Sequence, residues 1–283
     1  MHREFFMSFN QKATTFSIFL IVLLPLIGIW YYKKSHPVYV PLPPRPEVTL
    51  TIIPGWNLRQ IADYLVEKGF ASTTEDVFKI TGKPAAKFSS GTFFGPSDDL
   101  MEQAPAGASM EGYLAPETIR VFADASLAEG VIDRFYFERV KEITPSMYER
   151  AKELKQTMHQ ILTMASIIEK EVKYDEDREI VSDILWRRLA KNWALQVDSS
   201  VHYLVDRSGD VFTTEKEREI DSLWNTYKYP GLPPGPIANP SVKSIQAALY
   251  PEKNTYWYFL SDKDGHMHYA STLDEHNANR RKY

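Results

Sequence analysis

Residues Ala13 to Tyr32, ATTFSIFLIVLLPLIGIWYY, run for 20 positions without a charged side chain. A helix rises 1.5 Å per residue, so a stretch of this length just crosses a hydrocarbon core of about 30 Å. Pro25 would kink such a helix, which lipid tolerates. Trp30, Tyr31 and Tyr32 close the stretch where amphipathic rings favour the membrane interface. A cleaved signal peptide would have a shorter apolar region and a small-x-small site after it. The sequence continues instead as YYKKSH. The expectation is an uncleaved membrane anchor over 13–32, preceded by the short segment 1–12. Flanking charge does not set the orientation, because Arg3 and Lys12 precede the span and Lys33 and Lys34 follow it.

A stiff spacer follows. Five prolines lie between Pro37 and Pro46, and each fixes φ and favours extended polyproline II. Residues 33–46 are read as a linker holding the remainder away from the bilayer. Composition narrows what that remainder can do. The chain of 283 residues carries 33 Lys+Arg against 37 Asp+Glu, so it lacks the basic excess of a general nucleic-acid binder. It has no cysteine, which removes disulfides, thiolate zinc sites and cysteine nucleophiles.

The distal part reads as α+β. Val48–Ile53 alternates and is rich in β-branched residues, so it predicts a strand. Asn57 is placed to cap a helix running through Val66, with Leu58, Ile61, Ala62 and Leu65 on one face. A second short helix is expected over 73–80, giving a strand-helix-helix module over 47–85. Residues 82–110 are rich in Gly, Ser, Ala and Pro and read as loop. Helical spacing resumes over 125–140, interrupted at Pro145, then over 157–173 and 176–192. YWYFL at 256–260 and HMHYA at 266–270 flank SDKDG, a strong hairpin signal.

Several chemistries are absent. There is no HExxH, no SxxK, no GxxxxGK[ST] and no GxGxxG. The most informative stretch is Leu162–Val172, LTMASIIEKEV. At about 100° per residue, Ile161, Met164, Ala165, Ile168 and Val172 share a face, and Glu169 and Glu171 fall near its opposite edges. An acid at such an edge loses hydration when something packs over it, which raises its pKa toward a useful general-acid value. The alternative is a pair of solvated glutamates on the rim. NTYKYPGLPPGPIANP, 225–240, cannot form a regular element; it is either a rigid wall or a surface loop. His266 and His268 would share a strand face, but no supporting carboxylates are legible and no metal is expected. His276 reads as a hydrogen-bonded structural residue.

Together these segments resemble the YceG-like, MltG-type endolytic murein transglycosylases. The residues that carry the resemblance are EGYLAPET at 111–118, LTMASIIEKEV at 162–172, LQVDSSVHYL at 195–204, NTYKYPGLPPGPIANPSVKSIQAALYP at 225–251 and DEHN at 274–277. The resemblance implies a single-pass inner-membrane protein with residues 1–12 as a cytoplasmic N-terminus and its domain outside the cytoplasm, a small LysM-like module over 47–85 and a mixed α+β catalytic domain over 86–283. It implies cleavage of the MurNAc–GlcNAc β-1,4 bond within peptidoglycan strands to leave 1,6-anhydroMurNAc ends. The expected partners are glycan strands, the membrane and cell-wall synthases, with no nucleic acid and no cofactor. The family's acid maps onto the EKE triplet, with Glu171 first and Glu169 as runner-up. Gln196, Asp198, Asn225 and Tyr227 are then candidates for orienting sugar or acid, with Asp198 as a helix N-cap the plainer role. The acid should line a cleft shared with the GLPPGPI wall. Two departures from the family pattern stand out: Ser241 where glycine often follows the NP, and Met267 where a histidine is usual. A tethered, non-catalytic glycan-binding or scaffold module of a wall-synthesis complex is the alternative of a different class.

Overall fold

The first strand, β1 (Glu47–Thr51), runs antiparallel to β2 (Thr118–Phe122), with Leu50 opposite Ile119 and Val48 opposite Val121. Between them lie α1 (Leu58–Glu67) and α2 (Thr74–Thr81). The strand-helix-helix segment is therefore closed by a strand drawn from beyond residue 85. Asn57 caps α1 as expected, its side chain accepting from Arg59 N and Gln60 N while Gln60 reaches back to the Asn57 N–H. Thr73 closes the same reciprocal box on α2 with Asp76.

The structure, a computed structural model, describes residues 23, 25–36, 43–86, 98–207 and 213–283. The chain divides into two units, Met1–Arg45 and Pro46–Tyr283. In the first, residue 23 and residues 25–35 are helical. Among the described residues no helix is long and apolar enough to cross a membrane. The expected N-terminal segment 1–12, residues 13–22 and 24 of the expected anchor, 37–42 of the linker and 87–97 of the expected loop lie outside the described residues.

The second unit continues after β2 with one π-helical turn over Leu127–Ile132, which leads into α3 (Asp133–Glu142). The helix expected over 125–140 thus begins wider than an α-helix. Pro145, read as an interruption, in fact opens α4 (Pro145–Glu153). At the first helical position the missing N–H costs nothing and the fixed φ is already helical. Then come α5 (Met158–Glu171), α6 (Asp175–Ala190), α7 (Asp198–Leu204), α8 (Val242–Leu249), the antiparallel hairpin β3 (Tyr258–Ser261) and β4 (Met267–Ala270), and α9 (Leu273–Lys282).

The core is built around α5. Thr157 and Gln160 form its capping box, and Met158, Ile161, Leu162, Met164, Ala165, Ile167 and Ile168 are fully buried. Burying each of the larger of these side chains contributes about 1.5–3 kcal/mol. The helix is enclosed nearly all round rather than on one stripe, with α6, α7, α8 and α4 against it. The 231–241 segment runs along α5 as a rail. His159 Nε2 meets Pro234 O at 2.8 Å, Ser166 Oγ accepts from Ile237 N at 3.0 Å, and Glu169 accepts from Ser241 N at 3.0 Å. Gly112 (φ +84°) packs against this rail, and a Cβ there would meet Pro236 at 2.5 Å, so only glycine fits. Buried Arg139 donates to Pro240 O at 2.6 Å and to Leu114 O at 3.3 Å, fastening α3 to the same rail.

A buried carboxyl joins these parts. Glu111, 1% exposed, accepts from Leu58 N at 3.0 and 3.1 Å, Tyr203 OH at 3.1 Å and Asn239 Nδ2 at 3.2 Å. Asn239 in turn pairs with the Gly55–Trp56 turn, at 2.9 Å from Gly55 N and 2.8 Å to Trp56 O. The turn after β1 is thereby held against the C-terminal end of α5, where a Cβ on Gly55 would touch Glu169 and Lys170.

Candidate active site

The two acids of the EKE triplet leave α5 in different directions, as their edge positions predict. Glu169 is consumed by structure. Its Oε2 accepts from Ser241 N (3.0 Å), Ser241 Oγ (2.6 Å), Ser244 Oγ (2.7 Å) and Arg178 Nη1 (3.2 Å). Its side chain is 7% exposed and that of Arg178 is 9%. A carboxylate at the start of α8 complements the helix dipole and its free N–H groups. Ser241, the residue that departs from the family pattern, supplies both the cap of α8 and two of these bonds.

Glu171 is the last residue of α5, before Val172 (φ −121°, ψ 118°) ends the helix. It is partly exposed. Its Oε1 accepts from Ser199 N at 3.3 Å, and its Oε2 has no hydrogen-bond partner among the described residues. Burial by the surrounding groups pushes its pKa up, Ser199 pulls it back through side chain and backbone, the charge of Asp198 raises it again, and the Arg188 charge opposes. Desolvation in partial contact with solvent is the condition under which a carboxyl holds a proton near neutral pH and can still hand it on.

The neighbours come from two segments. Asp198 is the first residue of α7 rather than its cap. The cap position is Val197, which has no side chain to offer a bond. The Asp198 carboxylate turns instead to Tyr227 OH at 2.7 Å and to Thr213 Oγ1, with Arg218 Nη2 at 3.6 Å. Arg218 also lies over the Tyr227 ring, 4.7 Å from its centroid. Burial and Asp198 push the Tyr227 hydroxyl well above its usual range, so it stays a donor. Gln196 sits at φ +54° and is exposed, held there by its N–H to Thr226 O at 3.1 Å. A non-glycine residue in that conformation is a place where the surrounding structure imposes the geometry. Its carboxamide makes no hydrogen bond among the described residues.

Asn225 has a different place from the other three. It is fully buried, donating to Arg218 O and Ile220 O at 2.9 Å and accepting from Tyr227 N at 3.0 Å. It shapes the loop that presents Tyr227 and faces no open space. The expected cleft also needs correction. The Gly231–Pro234 stretch lines a cleft of about 540 Å³ with His159, Gln160, Thr163, Trp186 and Leu189, and Glu171 is not among its walls. Position 160 lies 11 residues before Glu171, about 16 Å along the helix axis. The wall therefore belongs to the far end of α5, because the rail follows the helix on the Glu169 side.

The sequence reading did not single out Ser199, Arg188, Thr213 or Arg218. Ser199 sits in the LQVDSS segment beside a residue already singled out, which was the available signal. Arg188 is buried, donates to Leu195 O (2.6 Å) and to Trp257 O (3.0 and 2.6 Å), and so pins the segment before Gln196 to the hairpin. Its charge reaches Glu171. The histidines have structural surroundings: His268 pairs with Asp262 at 2.9 Å, and His266 stacks on Tyr174 at 5.0 Å. His276 stacks on Tyr258 at 5.2 Å, and its buried Nδ1 has no hydrogen-bond partner among the described residues, so stacking replaces the expected hydrogen bond. No His, Asp or Glu cluster suited to a metal occurs among the described residues.

Comparison with known proteins gives a consistent picture. The model of the YceG-like family matches residues 38–282. An endolytic murein transglycosylase of Bacillus subtilis (strain 168) is 38% identical over 174 residues, covering 62% of this chain and 48% of the relative. One of Streptococcus pneumoniae (strain D39) is 30% identical over 248 residues, covering 82% and 44%. The chain thus spans about half the length of the curated relatives it matches. A crystal structure of a putative YceG-like protein from Listeria monocytogenes superposes with a TM-score of 0.68 at 34% identity, covering 83% of this chain and 76% of that one.

Proposed function

Since the chain belongs to the YceG-like family, we propose that it is an endolytic lytic transglycosylase of peptidoglycan and that Glu171 is its single acid/base. The observation that carries this reading is the contrast within the triplet. Glu169 is locked by four donors on Oε2, including its buried ion-pair partner Arg178, whereas the Glu171 carboxyl takes a single backbone N–H in a partly desolvated place.

Most glycosidases need two carboxylates because water must be activated as well as the leaving group protonated. An intramolecular closure needs only one. Protonated Glu171 gives its proton to the glycosidic oxygen as the bond from MurNAc C1 breaks, releasing the GlcNAc hydroxyl. The 2-acetamido group of the substrate stabilises the cation-like carbon. The Glu171 carboxylate then removes the proton of the MurNAc C6 hydroxyl as O6 bonds to C1. Glu171 ends protonated and no water is consumed. The closure benefits from effective molarity, which reaches about 10⁵ M or more in well-oriented cases. Asp198 and Tyr227 flank the acid and Gln196 offers a free carboxamide, so these three are assigned to sugar contacts and to holding the acid. Asn225 supports Tyr227 from beneath.

The envelope setting belongs to the same proposal: an anchor over 13–32, the domain outside the cytoplasm, strands of peptidoglycan as substrate and wall synthases as neighbours. The β1–α1–α2–β2 order supports a LysM-like reading of that module. Mass spectrometry of products from uncrosslinked glycan tests the function. Anhydro-ended fragments support it; reducing ends indicate a hydrolase, and no fragments indicate a tethered binding module.

A further inference from the structure

The residue facing Glu171 is Ser199, 7% exposed. Its N–H reaches Glu171 Oε1 at 3.3 Å. Its hydroxyl is buried and near enough to the Glu171 carboxyl to favour the charged form, yet no hydrogen bond of good geometry to a described atom holds it. The next hydroxyl in the chain behaves differently: Ser200 Oγ is committed to Val197 O at 2.9 Å and to Thr226 Oγ1 at 2.8 Å. A buried hydroxyl without a partner is costly, so its presence beside a carboxyl with a free oxygen points to a bond made during part of the reaction cycle.

We propose that Ser199 is a positioning residue whose N–H and O–H together clamp Glu171 Oε1, the hydroxyl closing when the carboxyl loses its proton. This deepens the transglycosylase reading and rests on it. In the protonated acid, Oε1 is a carbonyl-type acceptor served by the N–H, and the proton rides on Oε2. When that proton passes to the glycosidic oxygen, the charge spread over the carboxylate attracts a second donor, and a rotation about the Ser199 Cα–Cβ bond supplies one. Charge-assisted bonds of this kind are shorter and stronger than neutral ones. Both donors on one oxygen leave Oε2 as the atom that gives the proton and later recovers it from the C6 hydroxyl. The influence of Ser199 on the acid already runs in the required direction, favouring the charged form against burial. Lys and Arg side chains do not take this role: Arg188 is fastened to Leu195 O and Trp257 O, and Arg218 is turned to Asp198 and the Tyr227 ring.

The test is a carboxyl ¹³C NMR titration of Glu171 in the full chain solubilised in mild detergent, with the resonance assigned from Glu171→Gln. Ser199→Ala should raise the Glu171 pKa by about half a unit to one unit, a stabilisation of the anion lost in the range of one hydrogen bond. The basic limb of the kcat/KM profile should move to higher pH by the same amount, with kcat lowered. Ser199→Thr, which keeps the hydroxyl, should restore both. Ser199→Gly removes the same hydroxyl and serves if the alanine variant folds poorly. An unchanged Glu171 titration in Ser199→Ala overturns the clamp. Absence of glycan cleavage by the wild-type chain, with the titration shift intact, overturns the transglycosylase reading instead.

Discussion

Replacing each acid of the EKE triplet by its amide should separate structure from chemistry. Glu169 and Arg178 form a buried pair at 3.2 Å, and the same carboxylate oxygen takes three bonds from Ser241 and Ser244. Removing one partner of a buried ion pair costs about 3–5 kcal/mol. Glutamine keeps an acceptor oxygen for the serine donors, so Glu169→Gln should cost somewhat less, about 2–4 kcal/mol. For a domain of this size each kcal/mol moves Tm by about 2–4 °C, which predicts a fall of roughly 4–16 °C in a reversible thermal melt. Glu171→Gln should behave in the opposite sense. The folded environment raises the Glu171 pKa above 4.5, so at pH values above that the unfolded chain releases the proton more readily and the acid destabilises the native state. The amide removes this term, and Tm at neutral pH should hold or rise. A Glu169→Gln variant as stable as wild type, or a Glu171→Gln variant as unstable as Glu169→Gln, refutes the division of roles.

Three further outcomes follow from the same geometry. Burial lifts the Glu111 pKa to about 8 against its hydrogen bonds and the charges of Arg59 and Lys170. Between pH 4.5 and about 8 the native state holds a proton the unfolded chain has lost, so stability should fall as pH rises through that window, at most about 1.4 kcal/mol per pH unit. Glu111→Gln should flatten that slope in denaturant titrations at successive pH values; an unaltered slope places the titration elsewhere. Asp198→Asn removes a charge that raises the Glu171 pKa, so the basic limb of kcat/KM should move to lower pH, opposite to Ser199→Ala; a shift in the same direction contradicts the electrostatic account. Asn225→Ala strands two backbone carbonyls and frees Tyr227 N, which should cost about 2 kcal/mol or more and show as a lower urea midpoint; a neutral result would mean the loop does not depend on this amide.

Local signals were legible where local chemistry decides the structure. Asn57, Thr73 and Thr157 cap the helices they were expected to start, or start helices where one was expected. The DG turn joins the aromatic strands β3 and β4. The 100° periodicity placed Glu169 and Glu171 on different edges of α5, and the fold uses that separation. What the sequence left hidden depended on distant partners. β1 pairs with residues 118–122, which no local pattern connects to it. Pro145 reads as a breaker unless its position in the turn is known, and at the first helical position it is a starter. The 231–241 rail looked like the second wall of the Glu171 site because both motifs are rich in signal, yet its direction along α5 follows from His159, Ser166 and Glu169. Asn225 carries the chemistry of a sugar contact, and only its burial shows that its hydrogen bonds are spent within the loop.

Glycan digestion by purified Glu171→Gln, compared with wild type on uncrosslinked strands, addresses the central claim most directly. A single carboxyl that both gives and recovers the proton predicts 1,6-anhydro ends from the wild type and none from a Glu171→Gln protein of native stability. Anhydro ends at wild-type yield from that variant would contradict it.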